Sequence, residues 1–374
     1  MRVLLATYGS RGDVEPMVAL AVQLRALGAE VRVCAPPDEE FAALLAGVGV
    51  PLVPFGRPWR SWVRPSTAEE RTRRVAEFIA AQYDTVIEAA AGCDVLLATA
   101  MSQFVATSVA EKLTIPHRAA IFSPHLLDDP DAQNWNALFG PSINRHRASI
   151  DLPPVDDVGE FMFTDRPWLA ADPTLGPRPE SADRDVFQTA AWILPDERPL
   201  LAELEAFLDV GRPPVYVGFG SMRAPQDSAR AAIEAIRAQG YRALLAHGWA
   251  DLALIDDRDD CFAVAEVNQQ ALFGRVAAVV HHGGAGTTTT AARAGVPQVV
   301  VPMAGGDQPY WAGRVAELGI GAAHDGPAPT IESLSAALGT ALTPETRARA
   351  TALAGAIRTD GAAVAARRLL ERSR

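Results

Sequence analysis

From residue 2 to residue 121, short apolar runs alternate with longer segments that carry apolar residues at helical spacing. The runs are typical of strands buried in a parallel sheet, and the longer segments are typical of helices packed against one. Pro16 suits the first turn of the first helix and Gly28 its end. We predict strands at 2–7, 31–34, 50–53, 94–98 and 117–121, and helices at 16–27, 38–46, 68–91 and 104–113. This alternation predicts a doubly wound α/β domain.

The pattern breaks at residues 123–142, where prolines, aspartates and aromatic residues cluster. We interpret this segment as a surface loop, and residues 153–159 and 171–185 as further loops. Long loops beside such sheets tend to carry substrate contacts, so the first of them is a candidate for ligand binding.

The alternation of strands and helices restarts at residue 215. We predict strands at 215–218, 242–246, 262–265, 277–280 and 298–302, helices at 228–239, 268–273 and 309–318, and two or three helices after residue 331. Two proline-bearing segments flank a short helix at 200–210 and indicate an interdomain connection. The sequence therefore predicts two α/β domains, 1–194 and 214–357, joined by a linker at 195–213.

Composition and charge narrow the class of protein. A chain of 374 residues exceeds one ordinary core, and its net charge of −11 argues against a nucleic-acid partner. Cys34, Cys93 and Cys261 are isolated, which suits a reducing compartment and neither a disulfide framework nor a zinc site. No apolar run approaches a membrane-spanning length, so we expect a cytoplasmic protein without membrane insertion.

Three glycines lie just after a predicted buried strand, in the run His281-His282-Gly283-Gly284-Ala285-Gly286-Thr287, and a helix rich in alanine and threonine follows. A helix start leaves unpaired N–H groups beside the positive end of the helix dipole, and glycine lets an anion approach them. The glycines could serve only to make a tight turn. The two histidines and the threonines at 287–290 favour phosphate binding instead. Either histidine could also be a core or cap residue, and one lies where it could donate to a phosphate oxygen.

The first strand of each half also ends in a glycine turn, at residues 9–13 and at Gly220-Ser221. Ligands of open α/β sheets bind beyond the carboxyl ends of the strands. A ligand in a cleft between two facing domains could contact both turns and the helix start, with Arg11 as a cation for a pyrophosphate. Asp13 has two interpretations, as the N-cap of the first helix or as a general base for an acceptor hydroxyl.

The pair Asp307-Gln308 and two acidic runs are further candidates for ligand or metal binding. Asp307 and Gln308 suit sugar hydroxyls, through carboxylate and amide groups, although Asp307 before Pro309 is also a normal helix start. The acidic runs at 256–260 and 128–131 are interpreted as loops and not as metal sites. We therefore predict no metal requirement.

Together these motifs make the chain resemble the GT-B glycosyltransferases of family 1, most closely those that decorate vancomycin- and teicoplanin-type glycopeptide aglycones. The residues that carry the resemblance lie at 9–13, 218–221, 281–287 and 307–309, and also at 192–199, 248–252 and 322–327. The resemblance implies two Rossmann-like domains that face a cleft. The N-terminal domain would bind the acceptor, the C-terminal domain would bind the nucleotide sugar, and the last helix, 358–374, would pack back on the first domain.

The resemblance also implies roles for individual residues. Asp13 corresponds to the family's general base, with Ser10 beside it as a catalytic and diphosphate-holding group. Asp307 and Gln308 would hold the transferred sugar, and we place acceptor contacts at Phe122 and His125. The nucleotide and its diphosphate would be bound by Arg11, Gly220, Ser221, Trp249, Val267, Gln269, His281, Gly283, Gly284, Ala285, Gly286 and Thr287.

The implied reaction is an inverting, metal-independent transfer from a UDP- or TDP-sugar, with no further cofactor, by a monomer. We expect a UDP-hexose, glucose or N-acetylglucosamine, as donor, and a TDP-deoxysugar as the alternative. An NAD-dependent oxidoreductase is disfavoured, because the first turn lacks GxGxxG and the second strand ends in Cys34-Ala35-Pro36 without an acid. A nucleotide-sugar epimerase or a non-catalytic nucleotide-binding protein stays open.

Overall fold

The structure, a computed structural model, describes residues 1–61, 67–127, 132–164, 166–180, 185–225 and 227–371. It divides into two compact units. Unit 1 comprises Met1–Ala171, Pro177–Leu194 and Thr359–Arg374, and unit 2 comprises Asp172–Gly176 and Pro195–Arg358. Both units are therefore discontinuous in sequence. Residues 172–176, which we expected in the N-terminal domain, belong to unit 2, as does the predicted linker.

The strands of both units are short and mostly buried. In chain order they are β1 (Arg2–Tyr8), β2 (Glu30–Ala35), β3 (Leu52–Pro54), β4 (Val95–Ala100), β5 (His117–Ile121), β6 (Trp168–Leu169), β7 (Phe187–Gln188), β8 (Val215–Gly218), β9 (Ala243–Ala246), β10 (Cys261–Val264), β11 (Ala278–His281), β12 (Gln298–Val300) and β13 (Gly321–Ala323).

Helices follow most of these strands. They are α1 (Arg11–Ala26), α2 (Glu39–Gly47), α3 (Ala68–Ala90), α4 (Gln103–Leu113), α5 (Ala132–Ser149), α6 (Val158–Met162), α7 (Ala202–Asp209), α8 (Ser228–Ala238), α9 (Gln269–Leu272), α10 (Ala285–Arg293), α11 (Gln308–Glu317), α12 (Ile331–Ala341), α13 (Pro344–Ala354) and α14 (Gly361–Glu371). Short 3₁₀ turns occur at Trp59–Ser61, Pro124–Leu127, Gly248–Ala250 and Phe273–Arg275.

Each unit is built on one parallel sheet. Among the described residues, the unit 1 sheet has the strand order β3-β2-β1-β4-β5-β6-β7, and the unit 2 sheet has the order β10-β9-β8-β11-β12-β13. Neighbouring strands pair in parallel throughout. In each sheet the first strand lies centrally and the order reverses beside it, at β1/β4 and at β8/β11. Ligands bind doubly wound sheets at such reversal points.

Apolar side chains cover both faces of the unit 2 sheet, as expected when helices pack on either side. Val215 and Val217 of β8 face one cluster, together with Ile233 of α8. Tyr216, between them, faces a second cluster that includes Phe273. In unit 1, α14 packs against α1. A Cβ atom on Gly361 would lie 2.3 Å from the Ala190 carbonyl oxygen, so this close approach needs glycine.

The predicted α/β alternation is confirmed. The strands at 117–121 and 215–218 coincide with β5 and β8, and the other predicted strands end within two residues of the observed bounds. The strands β6, β7 and β13 were not predicted, because they have only two or three residues each.

The start of α1 corrects one prediction. The helix begins at Arg11, so Pro16 lies inside it and not in its first turn. Ser10 is the N-cap residue, and Asp13 is the third helical residue of a capping box, in which its carboxylate accepts from the Ser10 N–H. The interpretation of Asp13 as the N-cap is therefore wrong.

The expected loop at 123–142 is also wrong for most of its described part. Helix α5 occupies Ala132–Ser149. Phe139, Ile143 and Arg147 are buried at a spacing of four residues, which forms one helical face. The Phe139 ring stacks on Phe104 with centroids 3.8 Å apart. Residues 158 and 159, expected in a loop, begin α6. The acidic run at 128–131, like residues 181–184 of the loop expected at 171–185, lies outside the described residues.

Candidate functional site

The glycine turn of unit 2 joins β11 to α10. Gly284 is the N-cap residue of α10, and none of the described side chains caps this helix start. Side chains cap α1, α3, α6, α9, α12 and α13, whereas α2, α4, α7, α8 and α11 also begin without a side-chain cap. An uncapped helix start offers its first N–H groups, and the positive end of its dipole, to an anion. Residues 284–287 can therefore hold a phosphate group.

Gly283 is required by its surroundings. Its φ of +91° is in the region that favours glycine. A Cβ atom there would lie 2.8 Å from Val300 Cγ1 and 3.1 Å from the Gln308 carbonyl oxygen. The hydroxyls of Thr288 and Thr289 donate back to helix carbonyls at 2.8 Å each, so these two threonines do not support phosphate binding.

His281 is a structural residue of the turn. Its side chain is fully buried, and Nδ1 accepts a hydrogen bond from the Gly283 N–H at 3.1 Å. The ring proton is therefore on Nε2, which donates to Gln298 Oε1 at 2.9 Å. Burial, with the neighbouring His282, lowers the pKa of His281 to about 3. Because both ring nitrogens bond within the protein, Nδ1 to the turn and Nε2 to β12, the assignment of His281 as a diphosphate ligand is not supported.

His282 is placed differently. Its Nδ1 is buried without a hydrogen-bond partner among the described residues, and burial lowers the pKa of the ring to about 4. A buried polar atom without a partner costs about 1–3 kcal/mol and calls for an explanation. The ring lies between two glycine turns, because Cβ atoms on Gly284 and Gly220 would come within 2.6 Å and 3.2 Å of it. His282 is thus the histidine positioned for a ligand.

The turn after β8 contributes Gly220 and Ser221 to the same region of unit 2. The Gly220 carbonyl accepts a hydrogen bond from the Trp249 N–H at 2.9 Å. A Cβ atom on Gly248 would lie 2.7 Å from that carbonyl oxygen. The structure therefore brings together Gly220, Trp249 and His282, as expected for strand ends on either side of the β8/β11 reversal point.

The segment 267–269 follows β10 and includes the first residue of α9. Asn268 caps α9 through its side-chain oxygen, and its amide nitrogen donates to the carbonyls of Asp196 and Arg198 at 2.9 and 2.8 Å. Gln269 Nε2 donates to the Tyr216 hydroxyl at 3.3 Å. Burial raises the pKa of Tyr216 to about 12, so its hydroxyl stays neutral. The segment proposed for the nucleotide base and ribose is thus held at a fixed position in unit 2.

Asp307 and Gln308 lie at the start of α11. The Asp307 carboxylate accepts a hydrogen bond from Trp311 Nε1 at 3.1 Å, and burial raises its pKa from 3.8 to about 6. Gln308 Oε1 accepts from the N–H groups of Met303 and Ala304 at 2.8 and 3.0 Å. The Gln308 oxygen therefore fixes the preceding turn, and the amide nitrogen donates to Met222 Sδ at 3.5 Å, which leaves its second N–H as the group for a ligand.

The predicted residues of unit 1 lie at the carboxyl end of β1. Asp13 Oδ2 accepts from the Ser10 N–H at 2.8 Å and from the Ser10 hydroxyl at 3.3 Å. Arg11 pairs with Glu15 one helical turn later, at 2.7 Å. Ser10 and Arg11 are thus engaged within α1, and the structure gives no separate support for their assignment to a diphosphate.

The acceptor candidates follow β5, at the same edge of the unit 1 sheet. The Phe122 ring packs edge-on against Trp192, with centroids 5.8 Å apart. His125 Nδ1 lies 2.9 Å from the Ser123 hydroxyl. Both side chains are partly exposed. Their position at the strand ends is compatible with acceptor binding.

The acidic run at 256–260 is an ion-pair cluster. Asp256 and Asp260 both bond to the guanidinium of Arg237, at 2.7 and 2.6 Å, and this pairing lowers the pKa of both carboxyls. In the described ranges, no three histidine, cysteine, aspartate or glutamate side chains are grouped to hold a metal ion. None of the described helices is both long and apolar enough to span a membrane.

Comparison with known proteins identifies the family. Residues 3–129 match the N-terminal domain of glycosyltransferase family 28, and residues 252–364 match the erythromycin biosynthesis protein CIII-like C-terminal domain. The vancomycin aglycone glucosyltransferase of Amycolatopsis orientalis is 56% identical, over 99% of this chain and 97% of its own length. The dTDP-epi-vancosaminyltransferase of the same organism is 53% identical, over 94% and 92%.

Solved structures agree on the fold. The calicheamicin glycosyltransferase CalG4 superposes with a TM-score of 0.77 at 18% identity, covering all of this chain and 98% of its own. The glycosyltransferase VinC, solved in complex with dTDP, gives a TM-score of 0.73 at 21% identity, covering 100% and 99%. The chain therefore belongs to the GT-B glycosyltransferases, in the family of the glycopeptide-antibiotic glycosyltransferases.

Proposed function

We propose that this glycosyltransferase transfers a hexose from a UDP donor to an aromatic hydroxyl of a glycopeptide aglycone, with inversion at the anomeric carbon. The observation that carries the donor half of the proposal is the uncapped start of α10 beside His282 in unit 2. Other helices also begin without a side-chain cap, but α10 begins beside a histidine whose buried Nδ1 has no hydrogen-bond partner among the described residues.

In this proposal unit 2 binds the nucleotide sugar. The N–H groups at 284–287 and the His282 ring hold the diphosphate, and Ser221 adds a hydroxyl. Trp249 and the segment 267–269 hold the nucleotide base and ribose. The helix start and its dipole offset the charge that develops on the leaving diphosphate as the anomeric bond breaks. Because this stabilisation comes from the chain itself, we propose that the transfer needs no metal ion.

Unit 1 activates the acceptor. Asp13 takes the proton of the acceptor hydroxyl, and the resulting oxygen attacks the anomeric carbon on the face opposite the diphosphate. The attack forms the new glycosidic bond, breaks the bond to the diphosphate and inverts the anomeric configuration. Phe122 and His125 contribute to the acceptor pocket. The glycopeptide acceptor is inferred from the vancomycin-related relatives.

The donor rests on two considerations. Asp307 and the Gln308 amide nitrogen suit a sugar with several free hydroxyls, which favours glucose or N-acetylglucosamine. The relative named a glucosyltransferase and the one named for a dTDP-sugar are 56% and 53% identical, so identity does not separate the alternatives. A TDP-deoxysugar therefore remains the second candidate donor.

The test is product formation by mass spectrometry. The protein is mixed with vancomycin aglycone and UDP-glucose, UDP-N-acetylglucosamine or a TDP-deoxysugar, with and without EDTA, beside an Asp13→Asn variant. A hexose mass shift that survives EDTA and is lost in the variant is expected. Turnover of the TDP-deoxysugar alone would overturn the donor assignment, and activity restored only by magnesium would overturn metal independence. Conversion of the UDP-sugar without an acceptor would indicate an epimerase, and UDP binding without any turnover would indicate a binding protein.

A further inference from the structure

The carboxylate of Asp13 is held against the turn between β1 and α1. Ser10 donates to Asp13 Oδ2 twice, from its N–H at 2.8 Å and from its hydroxyl at 3.3 Å. The Ser10 hydroxyl also accepts from the Gly12 N–H at 3.3 Å, which fixes its own direction. One oxygen of the carboxylate is thereby bound by two groups of a single residue.

Gly9 leaves the space that this carboxylate fills. A Cβ atom at position 9 would lie 2.1 Å from Asp13 Oδ2 and 2.5 Å from Asp13 Cγ, far inside van der Waals contact. Both atoms belong to the end of the Asp13 side chain, so a methyl group would displace the carboxylate before it displaced the backbone. Gly9 does not have a positive φ, so alanine at this position causes no backbone strain.

We propose that Gly9 and Ser10 are positioning residues for the general base. Gly9 leaves room for the carboxylate of Asp13, and Ser10 holds it by hydrogen bonds. The inference rests on the proposed function, in which Asp13 deprotonates the acceptor. Proton transfer needs the base within about 2.6–3.2 Å of the hydroxyl, so a carboxylate displaced by about 1 Å loses rate. In this role Ser10 does not bind the diphosphate.

The experiment is a double-mutant cycle. Gly9→Ala, Asp13→Ala and the double variant are compared for kcat, for KM of vancomycin aglycone and for UDP affinity by calorimetry. Gly47→Ala is the matched control, because Gly47 is in the same unit and an added Cβ there would have no atom within 4 Å. We expect Gly9→Ala to lower kcat at least about tenfold with unchanged UDP affinity. In the Asp13→Ala background the same change should have no further effect, because the group it displaces is gone.

Ser10 is tested in parallel by two variants. Ser10→Ala should lower kcat, and Ser10→Thr should restore it, because threonine also supplies a capping hydroxyl. UDP affinity should stay within about twofold in both, since neither change touches unit 2.

Three results would overturn the inference. A loss from Gly9→Ala that persists in the Asp13→Ala background would mean that Gly9 acts through another group. Weaker UDP binding by Ser10→Ala would make Ser10 a phosphate ligand. If Asp13→Ala alone leaves kcat unchanged, the base in the proposed function is wrong and the positioning role fails with it. The Asp13→Ala variant by itself reveals that failure, which distinguishes it from a failure of the positioning role alone.

Discussion

Asp307 offers a direct test of how burial acts at the proposed sugar-binding position. The carboxyl accepts a hydrogen bond from Trp311 Nε1 at 3.1 Å, yet burial raises its pKa from 3.8 to about 6. A pKa that is higher in the folded state means that ionisation opposes folding. The cost is absent below the unfolded pKa and grows as pH rises through the folded pKa. The shift of about 2 units corresponds to about 3 kcal/mol at most, and to less because the side chain is partly exposed.

Asp307→Asn removes the charge and keeps an oxygen for Trp311 Nε1. The variant should therefore be more stable than the natural chain at pH 8, by about 1–3 kcal/mol. At pH 5 the folded carboxyl is about nine-tenths protonated while the unfolded one is ionised. The advantage of the variant should then shrink by about 1.4 kcal/mol. Urea unfolding at both pH values measures this difference, in which the titration of other groups cancels.

The control is Asp257→Asn, which removes the same charge from an exposed position in unit 2. The reasoning is refuted if Asp307→Asn is no more stable than the natural chain at pH 8, or if its advantage does not change with pH. The same variant should bind UDP normally but lose affinity for the intact UDP-hexose, because an amide replaces the carboxylate that we propose accepts from the sugar hydroxyls. A gain in stability would then accompany a loss of donor binding.

Substitutions at three other positions should separate binding from stability. His282→Ala should weaken UDP binding about tenfold at both pH 6 and pH 8, because a pKa of about 4 keeps the His282 ring neutral at both pH values. If calorimetry finds weaker UDP binding at only one of the two pH values, the ring does not act as a neutral donor. Gln298→Leu leaves His281 Nε2 without its acceptor and should cost about 1–3 kcal/mol in urea unfolding, so an unchanged midpoint would contradict the assigned hydrogen bond. Gly361→Ala should cost about 1–3 kcal/mol through its clash with the Ala190 carbonyl, with UDP affinity unchanged. Gly339→Ala, on an exposed helix surface with no atom within 4 Å, is its control.

Much of the fold was predictable because apolar runs and helical spacing are local signals. The strands missed, β6, β7 and β13, are too short to show a period. Helix α5 was missed because a run of prolines and aspartates precedes it and Pro141 lies inside it, while its buried face at Phe139, Ile143 and Arg147 is spread over three turns. The start of α1 was placed late because Pro16 was taken as a first-turn signal, although Ser10 and Asp13 three residues apart are the pattern of a capping box.

The site was predictable at the level of turns and less so at the level of single atoms. Glycines after strands correctly indicated tight turns between strands and helices, and phosphate binding at the turn after β11 stays a prediction. Which of the two adjacent histidines is bound within the fold depends on Gln298, a strand residue 17 positions after His281, and no local pattern indicates that pairing. Likewise, the use of the Gln308 oxygen to fix its own turn becomes visible only in three dimensions.

The discontinuous course of the chain has a consequence for building hybrid enzymes from two relatives. A single junction at residue 195 would give unit 2 its segment 172–176 from one parent and the remainder from the other. Asp172 of that segment accepts from the Arg358 N–H at 2.8 Å, and Arg314 donates to the Leu175 carbonyl at 3.0 Å. One partner in each of these two bonds is a backbone atom, so only Asp172 and Arg314 must be kept for this contact to tolerate divergent parents.

The far end of the chain should be less tolerant. In the same single-junction hybrid, α14 would come from one parent and its packing partner α1 from the other. Gly361 has no room for a side chain against the Ala190 carbonyl, so small sequence differences at this contact would shift the whole of α14. A second junction after Arg358 would take residues 359–374 from the parent that supplies unit 1. Helices α1 and α14 would then come from the same parent. The number of crossovers that recombination needs is thus set by where the last helix packs.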